Sequence, residues 1–372
     1  PYFENIKKVE KVGENKVRFT ADEVYFGNFD VIAGMMAIVP KHIYKDPTEK
    51  EESDLNKTLV GTGPYQLDTF ERGRRLILKK NKDWWGEKKK YYKSKHNFNR
   101  IYMRFVKEDI KAIQRLTRGD LDYIGLSPER FVKNTKGEEW GKEVFKKKVQ
   151  NKAPKGYAFI GWNLKKPIFK SRKTRRALAH LVNRDLMIEK FMYGLAKPAT
   201  GPLYRSSIYA NEEVEPIKFN LGKALQMLRD DGWADVDKDQ VLEKTIDGRE
   251  YEMSFTILEP LQDFMKYLTI FKEDARQVGV QVNLKRVEWS TFIKLLDEKN
   301  FDAVRLAWSG GMVNWDPKQI WHSDSMRGGG SNFVNYSNPQ VDRLIEKARK
   351  TLDRKKRVKI LKKVYKIIAN DA

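Results

Sequence analysis

Cysteine is absent from the 372 residues of the chain, and long apolar runs are absent as well. Without cysteine the chain cannot form disulfides, zinc ribbons, iron–sulfur clusters or a thiolate nucleophile. The longest apolar stretch runs from Val31 to Val39 and is far shorter than the roughly 18–20 residues that span a bilayer. The sequence therefore contains no predicted transmembrane helix.

Motifs of the common enzyme classes are also missing. There is no Gly-x-Ser-x-Gly elbow, no Gly-x4-Gly-Lys phosphate loop and no Gly-x-Gly-x-x-Gly dinucleotide fingerprint. The histidines show no metal-binding spacing, and we interpret them as surface or core residues. They are His42, His96, His180 and His322. We therefore predict a protein that is not an enzyme and has no cofactor or resident metal.

Apolar and charged residues are both plentiful. Hydrophobic side chains make up 40% of the chain and aromatic ones 12%, including 9 Trp, which is enough for a packed core in two or three domains. Lysine and arginine number 74 against 51 acidic residues, which gives a net charge of +23. Residues 1–150 hold 33 basic and 23 acidic side chains, so we interpret the excess as dispersed surface charge. A basic nucleic-acid-binding protein is the alternative hypothesis.

The sequence pattern changes along the chain. Residues 1–150 are predicted to be mostly β, with a hairpin at 65–78, a helix at 107–118 and a short strand at 121–124. The apolar segment 157–163 is predicted to be a strand buried on both faces. Residues 251–308 follow a β-α-β-α-β order, which predicts a parallel sheet covered by helices.

The segment after Trp308 is the predicted binding site, because ligands of such sheets bind beyond the carboxyl ends of the strands. It holds three tryptophans within 14 residues, Trp308, Trp315 and Trp321, beside glycine-rich stretches. Indole rings provide apolar walls with one donor each, and glycine lets a ligand approach the main chain. The alternative is that these rings fill the core beneath long loops. No nucleophile or acid–base pair accompanies them, so we predict binding without catalysis.

Residues 235–239, with the sequence DVDKD, imitate the start of a calcium-binding loop. The sixth position is Gln240, where glycine is required, and the twelfth is Ile246, where glutamate is required. We interpret the segment as a polar turn, with weak calcium binding as the alternative.

A series of short motifs runs along nearly the whole chain. They are residues 61–65 (GTGPY), 81–86 (NKDWWG), 116–122, 161–163, 175–179, 183–185, 194–199, 224–233, 308–317 and 332–336. In this order the motifs resemble those of extracellular solute-binding proteins of the peptide/nickel class, which include the dipeptide- and oligopeptide-binding proteins of ABC importers. Each motif is weak alone, but their shared order is specific.

The resemblance implies an α/β fold class, a bilobal periplasmic-binding-protein-like fold of type II and the peptide-binding class, incomplete at both ends. Residues 1–156 would form part of lobe I and residues 157–372 would form lobe II, with a ligand between the lobes. The resemblance also implies a periplasmic monomer that captures a peptide or peptide-like ligand and delivers it to an ABC permease of the inner membrane. It implies no cofactor and no nucleic-acid partner.

The resemblance and the sequence pattern together define the predicted ligand-binding residues. They are Trp308, Gly310, Gly311, Trp315 and Asp316 of lobe II, with Trp162 and Asn163 near the hinge. In peptide-binding relatives a Trp-x-x-Asp motif pairs a carboxylate with the ligand's α-amino group, but Gly311 occupies that position here. Asp316 either supplies the charge from a shifted loop or only caps the following helix. A hydrolase with its active site outside this sequence is a third hypothesis, which no residue supports.

Overall fold

The structure is a computed structural model that describes residues 3, 5–46, 48–55, 59–311, 314–327 and 329–371. Met312, Val313 and Gly328 of the predicted binding segment lie outside the described residues. The chain divides into two compact units, residues 32–148 and residues 1–31 together with 149–372. The predicted lobes divide the chain differently. A lobe is a part of the protein that moves as one body, and a compact unit need not do so. The lobe boundaries therefore stay a prediction.

The secondary structure of the described residues is mixed. The strands are β1 (Ile6–Gly13), β2 (Lys16–Ala21), β3 (Tyr65–Glu71), β4 (Arg75–Lys80), β5 (Arg100–Arg104), β6 (Tyr157–Trp162), β7 (Glu243–Ile246), β8 (Arg249–Glu252), β9 (Ser254–Glu259), β10 (Gln281–Arg286) and β11 (Ala303–Trp308). The helices are α1 (Asn28–Asp30), α2 (Lys41–Tyr44), α3 (Glu49–Leu55), α4 (Asp109–Thr117), α5 (Pro128–Lys133), α6 (Arg172–His180), α7 (Arg184–Met192), α8 (Leu221–Arg229), α9 (Gln262–Arg276), α10 (Trp289–Asp297), α11 (Lys318–Trp321), α12 (Pro339–Arg349) and α13 (Arg354–Asp371).

The smaller unit, residues 32–148, contains a three-stranded antiparallel sheet in the order β3-β4-β5. Its first two strands form the predicted hairpin, and Gly73 in the turn adopts a φ of +72°, which glycine tolerates without strain. The predicted helix at 107–118 is α4. The predicted strand at 121–124 is wrong, because these residues form no strand and Tyr123 is exposed. Apolar residues form a strand only where a neighbour takes up their backbone hydrogen bonds.

The larger unit is organised around a four-stranded sheet in the order β10-β9-β11-β6. β10, β9 and β11 run parallel, as predicted, and α9 and α10 provide the connections. β6 joins the edge antiparallel to β11, with Trp162 opposite Ala303 and Tyr157 opposite Trp308. As an edge strand, β6 is only partly buried, and the predicted burial of 157–163 on both faces is wrong at the exposed Ala158.

Hydrophobic clusters cover both faces of this sheet. The larger cluster includes Trp162, Phe169, Phe255 and Phe271 and receives α6, α8 and α9. A smaller cluster on the other face includes Leu258, Phe292 and Val304. A third cluster joins α12 and α13 with Tyr209 and Trp315. The sheet edge that β6 and β11 share is therefore supported from both sides.

Asparagine side chains cap the N-termini of two helices. The Asn183 side chain accepts a hydrogen bond from the Leu186 backbone N–H at the start of α7, and Asn338 accepts from the Val341 N–H at the start of α12. Among the helices that the structure describes, none is both long and apolar enough to cross a membrane.

Candidate functional site

Four aromatic rings meet at the edge where β11 ends and β6 begins. Tyr157 and Trp308 are directly opposed, so their side chains project to the same face of the sheet. The Phe159 ring centroid lies 5.8 Å from that of Tyr157 and 6.5 Å from that of Trp308. On its other side Trp308 stacks on Phe333 at 6.3 Å and an interplanar angle of 10°. We name Tyr157, Phe159, Trp308 and Phe333 the aromatic edge.

Two polar atoms of the aromatic edge are buried without a hydrogen-bond partner among the described residues. They are the Tyr157 hydroxyl and the Trp308 Nε1 atom. Burial raises the pKa of Tyr157, so its hydroxyl stays protonated and can donate at neutral pH. A buried polar group without a partner costs about 1–3 kcal/mol, which a ligand acceptor at this edge would recover. Both donors therefore favour a ligand that carries carbonyl or carboxylate oxygens.

Glycine brings the main chain close together beside the aromatic edge. A Cβ atom on Gly156 would lie 2.6 Å from the Trp308 carbonyl oxygen, and one on Gly310 would lie 2.3 Å from the Pro154 carbonyl oxygen. Both obstructing atoms belong to the main chain, so they cannot swing aside as a side chain would. Residues 154–156 and 308–310 therefore pass each other at a distance that only glycine permits. Gly311 differs, because no atom lies within 4 Å of the position that its Cβ would take.

The two neighbouring glycines provide a matched pair of variants. Gly310→Ala is expected to lower the free energy of unfolding by about 1–3 kcal/mol, since the added methyl group overpacks against Pro154. Gly311→Ala is expected to change it by less than about 0.5 kcal/mol. Urea unfolding of both variants measures the difference. Equal stability of the two variants would contradict the close approach.

Trp315 and Asp316 lie in the interior instead. Trp315 is buried in the cluster around Tyr365. Asp316 Oδ2 accepts a hydrogen bond from the Tyr25 hydroxyl at 2.8 Å and pairs with the Arg349 guanidinium, and Oδ1 accepts from the Lys318 backbone N–H at 3.1 Å. Both carboxylate oxygens thus already have partners. This geometry favours the capping alternative for Asp316.

Trp162 and Asn163 are also surrounded by protein. Trp162 is buried and stacks on Phe169 at 5.1 Å. The Asn163 side chain donates to the carbonyl oxygens of Lys299 and Phe301 at 3.0 and 2.9 Å, and its Oδ1 accepts from Asn335 at 2.9 Å. Asn163 therefore ties β6 to the loop before β11.

Of the seven predicted site residues, Trp308, Gly310 and Gly311 lie together at the sheet edge. The other four lie in the clusters and networks described above, and the whole set stays a prediction. Tyr157, Phe159 and Phe333 of the aromatic edge were not among the predicted residues. Tyr157 could have been found, because it begins the apolar segment 157–163 at the same sheet edge. Phe333 carries no such signal, since only the fold brings it against Trp308.

A buried carboxylate ends β9, on the face of the sheet opposite the aromatic edge. Glu259 is fully buried, and its Oε2 lies 3.7 Å from Arg305 Nε. Burial raises the pKa of Glu259, opposed by the hydrogen bond from the Leu261 N–H and by the positive charge of Arg305. The guanidinium also stacks on the Phe264 ring, 3.6 Å from its centroid. Arg305 of β11 thus contacts both the end of β9 and α9.

Four carboxylates in the larger unit could hold a metal ion. One carboxylate oxygen from each of Asp235, Asp237, Asp239 and Glu243 lies within 4.8 Å of the others. Glu243, which was not predicted, is buried, and its Oε2 already accepts a hydrogen bond from the Val236 N–H at 2.8 Å. Calcium takes 6–8 oxygen ligands, more than four single carboxylate oxygens provide. Calcium binding at this turn stays a prediction.

Comparison with known proteins identifies one family. The family model described as "Bacterial extracellular solute-binding proteins, family 5 Middle" matches residues 1–331. The oligopeptide-binding protein AppA of Bacillus subtilis is 27% identical over 377 residues, which cover 99% of this chain and 66% of that protein. Di/tripeptide-binding protein 1 of Pseudomonas aeruginosa is 23% identical, with 99% of this chain and 66% of that protein covered. The chain thus spans slightly less than two thirds of the length of these curated relatives.

Solved structures have the same fold. AppA of Bacillus subtilis in complex with a nonapeptide superposes with a TM-score of 0.77 at 25% identity and covers 100% of this chain and 71% of its own. The periplasmic oligopeptide-binding protein of Thermotoga maritima gives a TM-score of 0.80 at 23% identity, with 100% and 71% covered. NikA of Brucella suis in complex with Fe(III)-EDTA gives 0.79 at 20% identity, with 100% and 72% covered.

Proposed function

The chain belongs to the bacterial extracellular solute-binding proteins of family 5, and on that premise we propose that it captures an oligopeptide-like solute for an ABC importer. The predicted family and the predicted fold class, the bilobal type II periplasmic-binding-protein fold, are confirmed by these matches. In the proposal the protein acts in the periplasm as a monomer, releases its ligand to a permease and catalyses no reaction. Nothing among the matches supports the nucleic-acid alternative.

The aromatic edge carries this proposal. It joins stacked apolar rings with the Tyr157 hydroxyl and Trp308 Nε1, two buried donors that have no partner among the described residues. A peptide matches both properties, because its backbone offers a carbonyl acceptor at each residue and its side chains can pack on rings. The main chain at Gly310 and Gly311 adds N–H and C=O groups beside these rings. The site is therefore suited to bind a peptide without chemical change.

One observation favours an oligopeptide over a metal chelate. AppA of Bacillus subtilis, a relative whose alignment covers 99% of this chain, was solved with a nonapeptide. Closure of the two lobes on the peptide would then depend on its tighter binding to the closed state.

Removal of the Tyr157 hydroxyl should weaken ligand binding without lowering the stability of the fold. Tyr157→Phe is expected to lower the affinity for peptide by about fivefold to tenfold, because one donor is lost. The free variant is expected to be as stable as the native chain or slightly more stable, since the hydroxyl has no described partner to lose. A random nonapeptide mixture provides the ligand. Native mass spectrometry identifies the peptides that the protein retains, and calorimetry measures their affinity.

Controls for this experiment use the other rings. Trp308→Phe keeps the stacking but removes Nε1, so it should weaken the same peptide by a similar factor. Trp289→Phe alters an exposed ring on α10 and should leave the affinity unchanged. Unchanged affinity in both edge variants, with a peptide bound by the native chain, would refute this site. Failure of every peptide to bind would refute the proposed function.

A further inference from the structure

Nearly half of the net positive charge is concentrated in two helices. Residues 347–366 contain eleven lysines and arginines and one acidic residue, Asp353, which gives +10 of the chain's +23. The interpretation of dispersed charge is therefore wrong in this segment. Counting residues 1–150 and the rest of the chain separately concealed this cluster of charge, because the two parts have similar net charges.

α12 and α13 expose this charge on their outer faces. Their inner faces pack together in one cluster through Val341, Ile345, Leu361 and Tyr365. Spacings of three and four residues place the exposed basic side chains opposite this apolar stripe. We name them the basic face: Arg343, Lys347, Lys350, Arg354, Lys355, Lys356, Lys359 and Lys363.

The basic face is not neutralised by the protein. Among the residues that the structure describes, none of its eight side chains has a carboxylate partner, whereas Lys362 and Lys366 pair with Glu212 and Glu213. Another segment provides a contrast. Residues 165–184 hold eight basic residues and no acidic one, yet Lys166 pairs with Asp302 at 2.7 Å and Lys170 with Asp247 at 3.6 Å. Acidic side chains thus neutralise part of the charge of residues 165–184, whereas the charges of the basic face have no carboxylate partner among the described residues.

An apolar side chain lies within the same surface. Leu352, in the turn between α12 and α13, is 66% exposed and has Lys350 and Arg354 as close neighbours in sequence. Basic side chains around an exposed aliphatic one are typical of surfaces that bind lipid bilayers, where the charges meet headgroups and the apolar group enters the interface. The basic face carries no aromatic ring, so it lacks the stacking platforms of single-stranded nucleic-acid sites.

We propose that the basic face, with Leu352, binds the surface of a membrane that contains anionic lipid. This function is independent of peptide capture and uses other residues. Six of the eight basic residues are lysines, whose compact ammonium groups contact phosphates as point charges without a fixed geometry. Such binding is diffuse, weakens with salt and acts only within about a Debye length, so it would hold the protein against the membrane reversibly.

Vesicle sedimentation with the full chain tests the proposal. Vesicles of phosphatidylcholine with about one third phosphatidylglycerol are expected to bind the protein at low salt, and pure phosphatidylcholine vesicles are not. The variant Lys355→Gln/Lys356→Gln/Lys359→Gln/Lys363→Gln should bind the anionic vesicles about 600-fold more weakly, since each of the four lysines near the surface contributes roughly fivefold. The substituted side chains are exposed, so the fold should be retained.

A second variant with the same change in net charge distinguishes a defined face from overall charge. Lys88→Gln/Lys89→Gln/Lys90→Gln/Lys93→Gln removes four exposed lysines of the smaller unit and should leave vesicle binding within about twofold. Equal losses in the two variants would overturn the proposal, as would failure of the native chain to bind anionic vesicles. Duplex DNA that binds more tightly than the vesicles, and loses affinity in the first variant alone, would also overturn it.

Discussion

Replacing Arg175 with methionine is expected to lower the free energy of unfolding by about 4 kcal/mol. The side chain is buried in α6, and its guanidinium donates to the carbonyl oxygens of Phe169 and Lys170 at 2.8 and 2.9 Å and of Asp371 at 3.0 Å. Methionine fills much of the same space but donates nothing. Each carbonyl left without a donor costs about 1–3 kcal/mol, and the end of α13 loses one of its anchors.

Neighbouring substitutions serve as controls for Arg175→Met. Arg176 donates a bond of the same kind to the Asn370 carbonyl oxygen at 3.2 Å, so Arg176→Met should cost only about 1 kcal/mol. Arg175→Lys keeps the charge but not the planar fork and should fall between the two. Urea unfolding monitored by tryptophan fluorescence gives all three values. A loss below about 1 kcal/mol for Arg175→Met would show that water replaces the guanidinium at little cost.

Asp316→Asn is the second large effect, with an expected loss of about 3 kcal/mol in the free energy of unfolding. The substitution removes the carboxylate charge that pairs with the Arg349 guanidinium and disturbs the bond from Tyr25. The cost stays at the low end for a buried ion pair, because the Arg349 side chain remains 23% exposed. The double variant Asp316→Asn/Arg349→Gln should lose less free energy of unfolding than the two single variants together. Each single change leaves the other charged group without its partner.

Peptide affinity decides between the two roles considered for Asp316. Both of its oxygens have protein partners, so the affinity of the folded Asp316→Asn variant should change by less than about threefold. The exposed Asp324→Asn should change neither stability nor affinity appreciably. A loss of affinity greater than about 30-fold at unchanged stability would assign Asp316 to the ligand.

Local chemistry in the sequence was enough to predict much of the larger unit. The β-α-β-α-β order of 251–308 implies parallel strands through its connections, and the structure has them. The antiparallel placement of β6 depends on a partner strand far away in the sequence, which no local pattern specifies. The false strand at 121–124 has the same cause, because strand formation requires a partner.

The candidate site was harder to predict than the fold. Trp308 and Trp315 share a glycine-rich segment, but one lies at the sheet edge and the other inside a core. An indole suits both environments, so composition cannot separate them. The sequence alone likewise allows Asp316 to bind a ligand or to pair with a neighbouring side chain. The structure places Arg349 and Tyr25 beside it. Side chains that act through distant partners need the fold before their role is visible.

The pairing of β6 with β11 has a consequence for how the protein is made. Tyr157 and Trp308 are directly opposed although 151 positions separate them in the sequence. Closing so long a loop is entropically costly and slow, so pairings of this kind form late in folding. During synthesis the aromatic edge cannot exist until the chain has been extended past Trp308 and β9 is ready to receive β11. A chain kept unfolded would therefore carry the Tyr157 and Trp308 donors far apart, and the aromatic edge would form only as the sheet is completed.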